Sequence, residues 1–324
     1  MGEFELIQRH FQRSGQALPG QVVLGIGDDC ALLQPSPGHQ LAVSCDMLVE
    51  GRHFFANVDP TALGHKALAV NLSDLAAMGA RPLGFTLALA LPSADSTWLS
   101  AFARGLFALA DAHACPLVGG DTTRGPLNLC ITVFGELRPG HALRRSAAQP
   151  GDDLYLSGRT GEARLALELL RGTAWAHQHT PPGALDRVRA RLERPTPRVA
   201  LGLALAGVAH ATLDVSDGLA GDLGHILQAS GVGAAIHQAL LPVAPDLQSL
   251  PEASQLDFLL NGGDDYELLF TAAPADQAAI EAAARSSQTP VQRIGQITAA
   301  PGLRLLDAAG HPVALAPRGF DHFA

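Results

Sequence analysis

The sequence predicts an α/β (α+β) protein made of two successive domains. Three observations carry that prediction. The chain has 324 residues, more than a single core of about 100–150 residues organises. Helical and extended patterns alternate through both halves. Between the halves, Glu136 to Gly151 contains the pairs Pro139-Gly140 and Pro150-Gly151, the composition of a boundary. The domains are therefore expected at residues 1–138 and 149–324.

Each element has its own signal. Phe4, Ile7 and Phe11 stand at helical spacing, so an opening helix is expected over Glu3 to Gln12. Val22 to Ile26 reads as a strand ended by Gly27-Asp28-Asp29, and Leu41 to Ser44 as a second, ended by Asp46. Asp59-Pro60 combines an N-cap with a proline at the first helical position. Leu63, Leu68, Leu72 and Leu75 then form one stripe, and Gly79 and Pro82 stop the helix. A strand over Leu83 to Leu91 and a helix over Asp95 to Ala112 follow. Leu117-Val118 is read as a brief strand opening into a glycine loop, Gly119 to Gly125, and Leu127 to Phe134 as the next strand. In the second half, Leu154 to Ser157 is a strand, Glu162 to Leu170 a helix and Ala174 to Gly183 a loop. Leu213 to Val215 is a strand running into Asp217-Gly218. The helix after it carries Leu219, Leu223, Ile226 and Leu227 and closes at Gly231. Asn261 to Asp265 is a tight turn before the strand Tyr266 to Ala272.

Composition narrows the function. Hydrophobic residues make up 47% but aromatics only 5%, so the cores rest on Ala, Leu and Val. The net charge of −9, without a basic patch, argues against nucleic-acid and anionic-membrane binding. No apolar run approaches the ~20 residues of a membrane span, and Met1 to Gln12 lacks the apolar centre of a secretory signal. Cys30, Cys45, Cys115 and Cys130 form no C-x-x-C pair. Free thiols in a reducing cytoplasm are the expected state. Lys66 is the only lysine. That excludes a Walker loop and argues against lysine-based protein-kinase chemistry. Lys66 itself is expected on a solvated helix face, and Cys30, Cys115 and Cys130 as buried small side chains.

Five apolar segments run out into glycine or aspartate: GIGDD (25–29), VSCD (43–46), VGGD (118–121), LDVSDG (213–218) and NGGDD (261–265). Asn71 and Asp74 add a polar pair one helical turn apart. A single Asp beside Gly is ordinary turn chemistry. Five together imply carboxylates that converge, and mutually repelling carboxylates call for a hard cation such as Mg²⁺. GGDTTRG (119–125) offers amides, hydroxyls and Arg124 to a phosphate. Arg144-Arg145 suits the same ligand or a solvated linker equally well.

Taken in order, GIGDDCAL (25–32), D-x-L-V-E-G-x-H-F (46–54), NLSDLAAMGA (71–80), GGDTTRG (119–125), DVSDGL (214–219), GGDDYELLF (262–270) and GFDHF (319–323) resemble the thiamine-monophosphate kinase family. That family belongs to the aminoimidazole ribonucleotide synthetase-like superfamily. The resemblance implies two α/β domains, the N-terminal one with a mixed sheet used in homodimerisation, the C-terminal one completing the active site. It implies transfer of the γ-phosphoryl of ATP, with several Mg²⁺ ions, to thiamine monophosphate, giving thiamine diphosphate. By the same resemblance Asp29, Ser44, Cys45, Asp46, Asp74, Asp121, Asp214 and Asp217 form the magnesium set, Cys45 through its main chain. Gly120, Asp121, Arg145 and Ser216 contact ATP; His53, Asp264 and Phe320 contact thiamine monophosphate. Asp46, Asp74 and Asp121 carry the catalytic weight. Cys45 stands where the family usually has Thr, and Asp264 where Glu is typical. Rival readings are another ATP-dependent enzyme of the superfamily, a metal-dependent phosphohydrolase and a non-catalytic nucleotide-binding module. Selenophosphate synthesis would call for a reactive Cys followed by a nearby Lys, and no lysine lies near Cys30.

Overall fold

A computed structural model describes residues 2–13 and 18–314. These residues fall into two compact units, one of residues up to Leu75 with Ala80–Gly140, the other of Ala76–Gly79 with the chain from His141 onward.

The first unit runs α1 (Glu3–His10), β1 (Val22–Leu24), β2 (Leu32–Leu33), β3 (Gln40–Val49), α2 (Pro60–Ala77), β4 (Arg81–Leu91), α3 (Ser96–Ala112), β5 (Leu117–Arg124) and β6 (Asn128–Leu137). Among the described residues, β3-β6-β4-β5 form a four-stranded mixed sheet, and β1 pairs with β2 apart from it. Only β4 and β5 run parallel. Leu83, Phe85, Leu87, Leu89 and Leu91 of β4 alternate inward, as do Leu129, Ile131 and Val133 of β6, the period of two expected of a strand. The predicted stripe Leu63, Leu68, Leu72 and Leu75 of α2 is buried. Asp59 caps α2 by accepting the Ala62 N–H at 3.0 Å. Asp95 caps α3 through Thr97 and Trp98 N–H at 2.8 and 3.2 Å. The two helices meet backbone to backbone: a Cβ on Gly105 would lie 1.8 Å from the Thr61 carbonyl oxygen, and one on Gly64 2.1 Å from that of Phe102.

Two strands differ from expectation. Asp46 does not end β3, which pairs with β6 without a break from Gln40↔Leu137 to Val49↔Asn128. A complete antiparallel ladder outweighs the poor strand propensity of one Asp. The segment Gly119 to Arg124 is not a loop but the body of β5, on the sheet edge beside β4. Edge position tolerates glycine, and Gly120 is needed: its φ is 144°, and a Cβ there would sit 1.9 Å from the Leu87 oxygen. Lys66 is also not solvated. It is 3% exposed, with its ammonium 3.4 Å from the His53 carbonyl oxygen. Of the cysteines, Cys115 is buried, Cys130 is half-buried and Cys30 is exposed in its turn.

The second unit continues with β7 (Asp153–Ser157), α4 (Glu162–Leu170), α5 (Ala174–His179), α6 (Ala184–Glu193), α7 (Val199–Leu205), β8 (Ala211–Asp214), α8 (Leu219–Ser230), β9 (Gly233–His237), α9 (Glu252–Asn261), β10 (Leu268–Ala272), α10 (Gln277–Ser286), β11 (Val291–Thr298), β12 (Gly302–Leu306) and β13 (Pro312–Val313). The segment expected as a loop at Ala174 to Gly183 contains α5. Among the described residues the order β13-β12-β9-β11-β7-β10-β8 makes a seven-stranded sheet. Every residue of β7, β8 and β10 is buried, so β8 delivers Asp214 and the loop after it from a fully packed base. The last two residues of α2 fall in this unit, where Gly202 packs on the Ala76 carbonyl and the Leu143 N–H donates to Met78 O at 3.2 Å.

Candidate active site

In the first unit the apolar core gives way to polar atoms at edge strand β3. Ser44 and Asp46 point to the face that α2 covers, and α2 meets them with Asn71 and Asp74, one turn apart. The Ser44 hydroxyl donates to Asp74 Oδ2 in a short hydrogen bond. Asp46 N–H donates to Asn71 Oδ1 at 3.1 Å, and Asn71 Nδ2 donates to Ala67 O at 3.0 Å within α2. Asn71 is 1% exposed while Asp74 is half-buried. Strand and helix are thus cross-linked by the residues singled out for chemistry.

Cys45 lies between Ser44 and Asp46 and therefore points the other way. Its thiol stands 3.3 Å from Cys130 Sγ and accepts from Thr132 Oγ1 at 3.4 Å. Burial, helped by the Cys45 thiol, pushes the Cys130 thiol up to about 11. The face that holds Asp74 consequently presents oxygen from Ser44, Asp46 and Asp74, with the neighbouring sulfur turned away. That donor chemistry fits a hard divalent ion, and any part played by Cys45 toward it falls to the main chain.

The remaining first-unit candidates lie on other segments of the chain. Asp29 is exposed in its turn, its N–H donating to Asp28 Oδ1 at 2.9 Å. Gly120 and Asp121 are exposed on β5, opposite Leu87 and Ala88 of β4. Among the described residues, no group of three or more His, Cys, Asp or Glu is arranged to hold a metal ion. His53 sits in the turn after β3, where its Nδ1 accepts the Val49 N–H at 3.0 Å. A backbone N–H can only donate, so the neutral ring carries its proton on Nε2.

In the second unit, two loops are bonded together. Val215 to Gly218 follows β8, and Gly262 to Glu267 precedes β10. Asp264 N–H donates to Ser216 O and Tyr266 N–H to Val215 O, both at 2.8 Å, and Val215 N–H returns a bond to Glu267 O at 2.8 Å. Asp264 and Tyr266 hold φ values of 66° and 50°, a left-handed region that costs a non-glycine residue about 1 kcal/mol or more. Tyr266 Oη donates to Asp264 Oδ1 at 3.3 Å. Asp214 is 7% exposed at the end of β8, while Ser216 and Asp217 are half-buried. Phe320 lies outside the described residues.

Arg145 is exposed, and its carbonyl accepts from Ser230 Oγ at 2.8 Å. Ser230 ends α8 and Ser216-Asp217 precede its start, so these anchors stand about one 12-residue helix apart, roughly 18 Å.

Two acidic residues that sequence reasoning passed over support these loops. Glu267 is fully buried; its carboxylate accepts from Ser157 Oγ at 2.6 Å, Arg191 Nη2 at 2.7 Å and Arg198 Nε and Nη2 at 2.7 and 2.6 Å. Asp222 is 4% exposed inside α8. Burial pushes its carboxyl up to about 6, against the pull of the Asp217 and Ser216 N–H groups it accepts. The available signal was an acid on the apolar side of a predicted helix, which has no reason to be there unless it is bonded.

The chain is similar to known proteins along its full length. Residues 27–137 match the model of the AIR synthase related protein N-terminal domain, and residues 149–308 that of its C-terminal domain. The chain is 45% identical over 325 residues to thiamine-monophosphate kinase of Escherichia coli (strain K12), covering 100% of this chain and 98% of the relative. The crystal structure of thiamine-monophosphate kinase from Stenotrophomonas maltophilia K279a superposes with a TM-score of 0.82 at 49% identity, over 88% of this chain and 91% of that one. A structure described as AaThiL complexed with AMPPCP and TMP superposes with a TM-score of 0.77 at 28% identity, over 89% of each chain. With both domain models matched in order and such identity along its full length, the chain belongs to the thiamine-monophosphate kinase family of AIR synthase related proteins.

Proposed function

We infer that the chain is a phosphotransferase that uses ATP to phosphorylate thiamine monophosphate to thiamine diphosphate. Its family membership and the relative described with AMPPCP and TMP bound support this pair of substrates. The structural observation that carries the reading is the polar cluster of Ser44, Asp46, Asn71 and Asp74, whose hydrogen bonds join β3 to α2. A site for two anions that repel each other needs such a cluster.

Magnesium would be held by Asp29, Ser44, the Cys45 main chain, Asp46, Asp74, Asp121, Asp214 and Asp217, and would supply charge neutralisation on the phosphates. The other tasks fall to the chain. Gly120, exposed on β5, contacts ATP beside Asp121. Ser216 offers a hydroxyl to ATP from one end of α8, and Arg145 a guanidinium from the other. His53, with Nε2–H as donor, and Asp264 orient thiamine monophosphate; Phe320 adds an aromatic face. The acceptor is a phosphate monoester, largely ionised near neutral pH (second pKa ~6). No strong general base is required, and catalysis is mostly positioning.

The protein works as a homodimer in a reducing cytoplasm. Leu41, Val43 and Met47 project 47%, 57% and 55% exposed from the outer face of β3, and a second copy is the occupant that would cover them. The four cysteines are free, and no described helix is long and apolar enough to cross a membrane.

Purified protein with ATP and Mg²⁺, with and without thiamine monophosphate, tests the activity by chromatography. Thiamine diphosphate and ADP should form in equal amounts and only when the acceptor is present. Acceptor-independent phosphate release would instead indicate a phosphohydrolase.

A further inference from the structure

Helix α8 begins at Leu219 behind its N-cap Gly218, so Ser216 and Asp217 form the turn that leads into it. Asp222 folds back from the first turn of α8, and its Oδ2 accepts both the Ser216 N–H and the Asp217 N–H at 3.0 Å. The carboxylate is 4% exposed. The amides of the turn before this helix are thus bonded from within the chain.

The consequence extends past α8. With their N–H groups turned inward, Ser216 and Asp217 cannot rotate their peptide planes freely. The Ser216 carbonyl then accepts the Asp264 N–H, and the Val215 carbonyl the Tyr266 N–H, both at 2.8 Å. Those two acceptors hold the loop in which Asp264 and Tyr266 adopt left-handed backbone. A Cβ on Gly263 would lie 2.5 Å from Ser216 O, so the two loops touch through their main chains. One buried carboxylate therefore sets the backbone of residues assigned to the nucleotide and cation, and through it the backbone of a residue assigned to the acceptor.

We propose that Asp222 is a positioning residue for phosphoryl transfer, locking the Ser216–Asp217 loop and, through its carbonyls, the Asp264–Tyr266 loop. This assignment rests on the phosphotransferase reading. Asp222 itself touches neither substrate.

The test uses Asp222→Ala and Asp222→Asn in the full chain. The first readout needs no ligand: amide hydrogen exchange at Ser216, Asp217, Asp264 and Tyr266. In Asp222→Ala these amides should exchange at least about tenfold faster, with those of β10 unchanged, because two bonded N–H groups lose their acceptor. The second readout is kinetic. At a temperature where circular dichroism shows the variant folded, kcat should fall at least about tenfold and half-saturation by Mn²⁺ with ATP should rise about fivefold or more. Asp222→Asn keeps one oxygen acceptor and should fall between wild type and Ala in both readouts. Unchanged exchange at Asp264 and Tyr266, or unchanged Mn²⁺ half-saturation in a folded variant, overturns the proposal. If Asp222→Ala does not fold, Asp222→Asn is judged by the same criteria. Absence of turnover in the wild type would refute the phosphotransferase reading instead, and the exchange result would still decide the coupling of the loops.

Discussion

Asp46 and Asp74 join strand β3 to helix α2 and are the carboxylates proposed above for catalysis. Each is tied to the other element, Asp74 through Ser44 and Asp46 through its amide on Asn71. Neither carboxylate anchors a hydrophobic core. Asp46→Asn or Asp74→Asn should lower turnover by about 10²-fold or more, with circular dichroism and melting temperature close to wild type. Near-normal activity in both would remove them from the catalytic set. Glu136 shows the opposite division of labour. Burial alone would raise its carboxyl, but the Ser36 N–H at 2.7 Å, the Arg81 guanidinium and the Ser36 hydroxyl at 3.0 Å together hold it below the ordinary carboxylate value. The unfolded chain then binds the proton more tightly than the folded one. The resulting stabilisation is present above the unfolded value of about 4.3 and is lost as pH falls through the folded value. Glu136→Gln should cost about 1–3 kcal/mol at pH 7. Its urea midpoint should also drop less than that of wild type between pH 6 and pH 3.

Among the elements, two helix starts were directly legible. Asp59-Pro60 and Asp95 mark α2 and α3 because a cap is a local signal, complete within four residues. The extent of β3 and β5 was not legible. Asp46 and Gly119-Gly120 are poor strand formers, and only the ladder partners Ile131, Leu87 and Thr86, distant in sequence, make them strands. The same limit hid Asp222 and Glu267, whose partners lie in loops and helices that periodicity does not connect. The close crossing of α2 and α3 gives a direct test of element packing. Gly105→Ala places a methyl group against the Thr61 carbonyl and should destabilise by about 1–3 kcal/mol, even though alanine favours helix by up to ~1 kcal/mol. Gly224→Ala in α8, where a Cβ meets nothing within 4 Å, should be neutral or stabilising. Chemical denaturation of both variants makes the comparison, and equal effects would refute the crossing.

For the whole molecule, an acidic chain with a net charge of −9 must bring two anions together, which is why cation-binding oxygen dominates the proposed chemistry. The outer face of β3 bears on assembly. Val43→Glu with Met47→Glu should convert a dimer to a monomer in size-exclusion chromatography with light scattering, and an unchanged mass would exclude that face as the interface. Lys66 has a different consequence. The chain's single lysine is interred in α2, so a lysine-specific endoprotease has one scissile bond and cannot grip it in the native state. Cleavage into two fragments therefore reports how often α2 opens, a built-in gauge of breathing that requires no label.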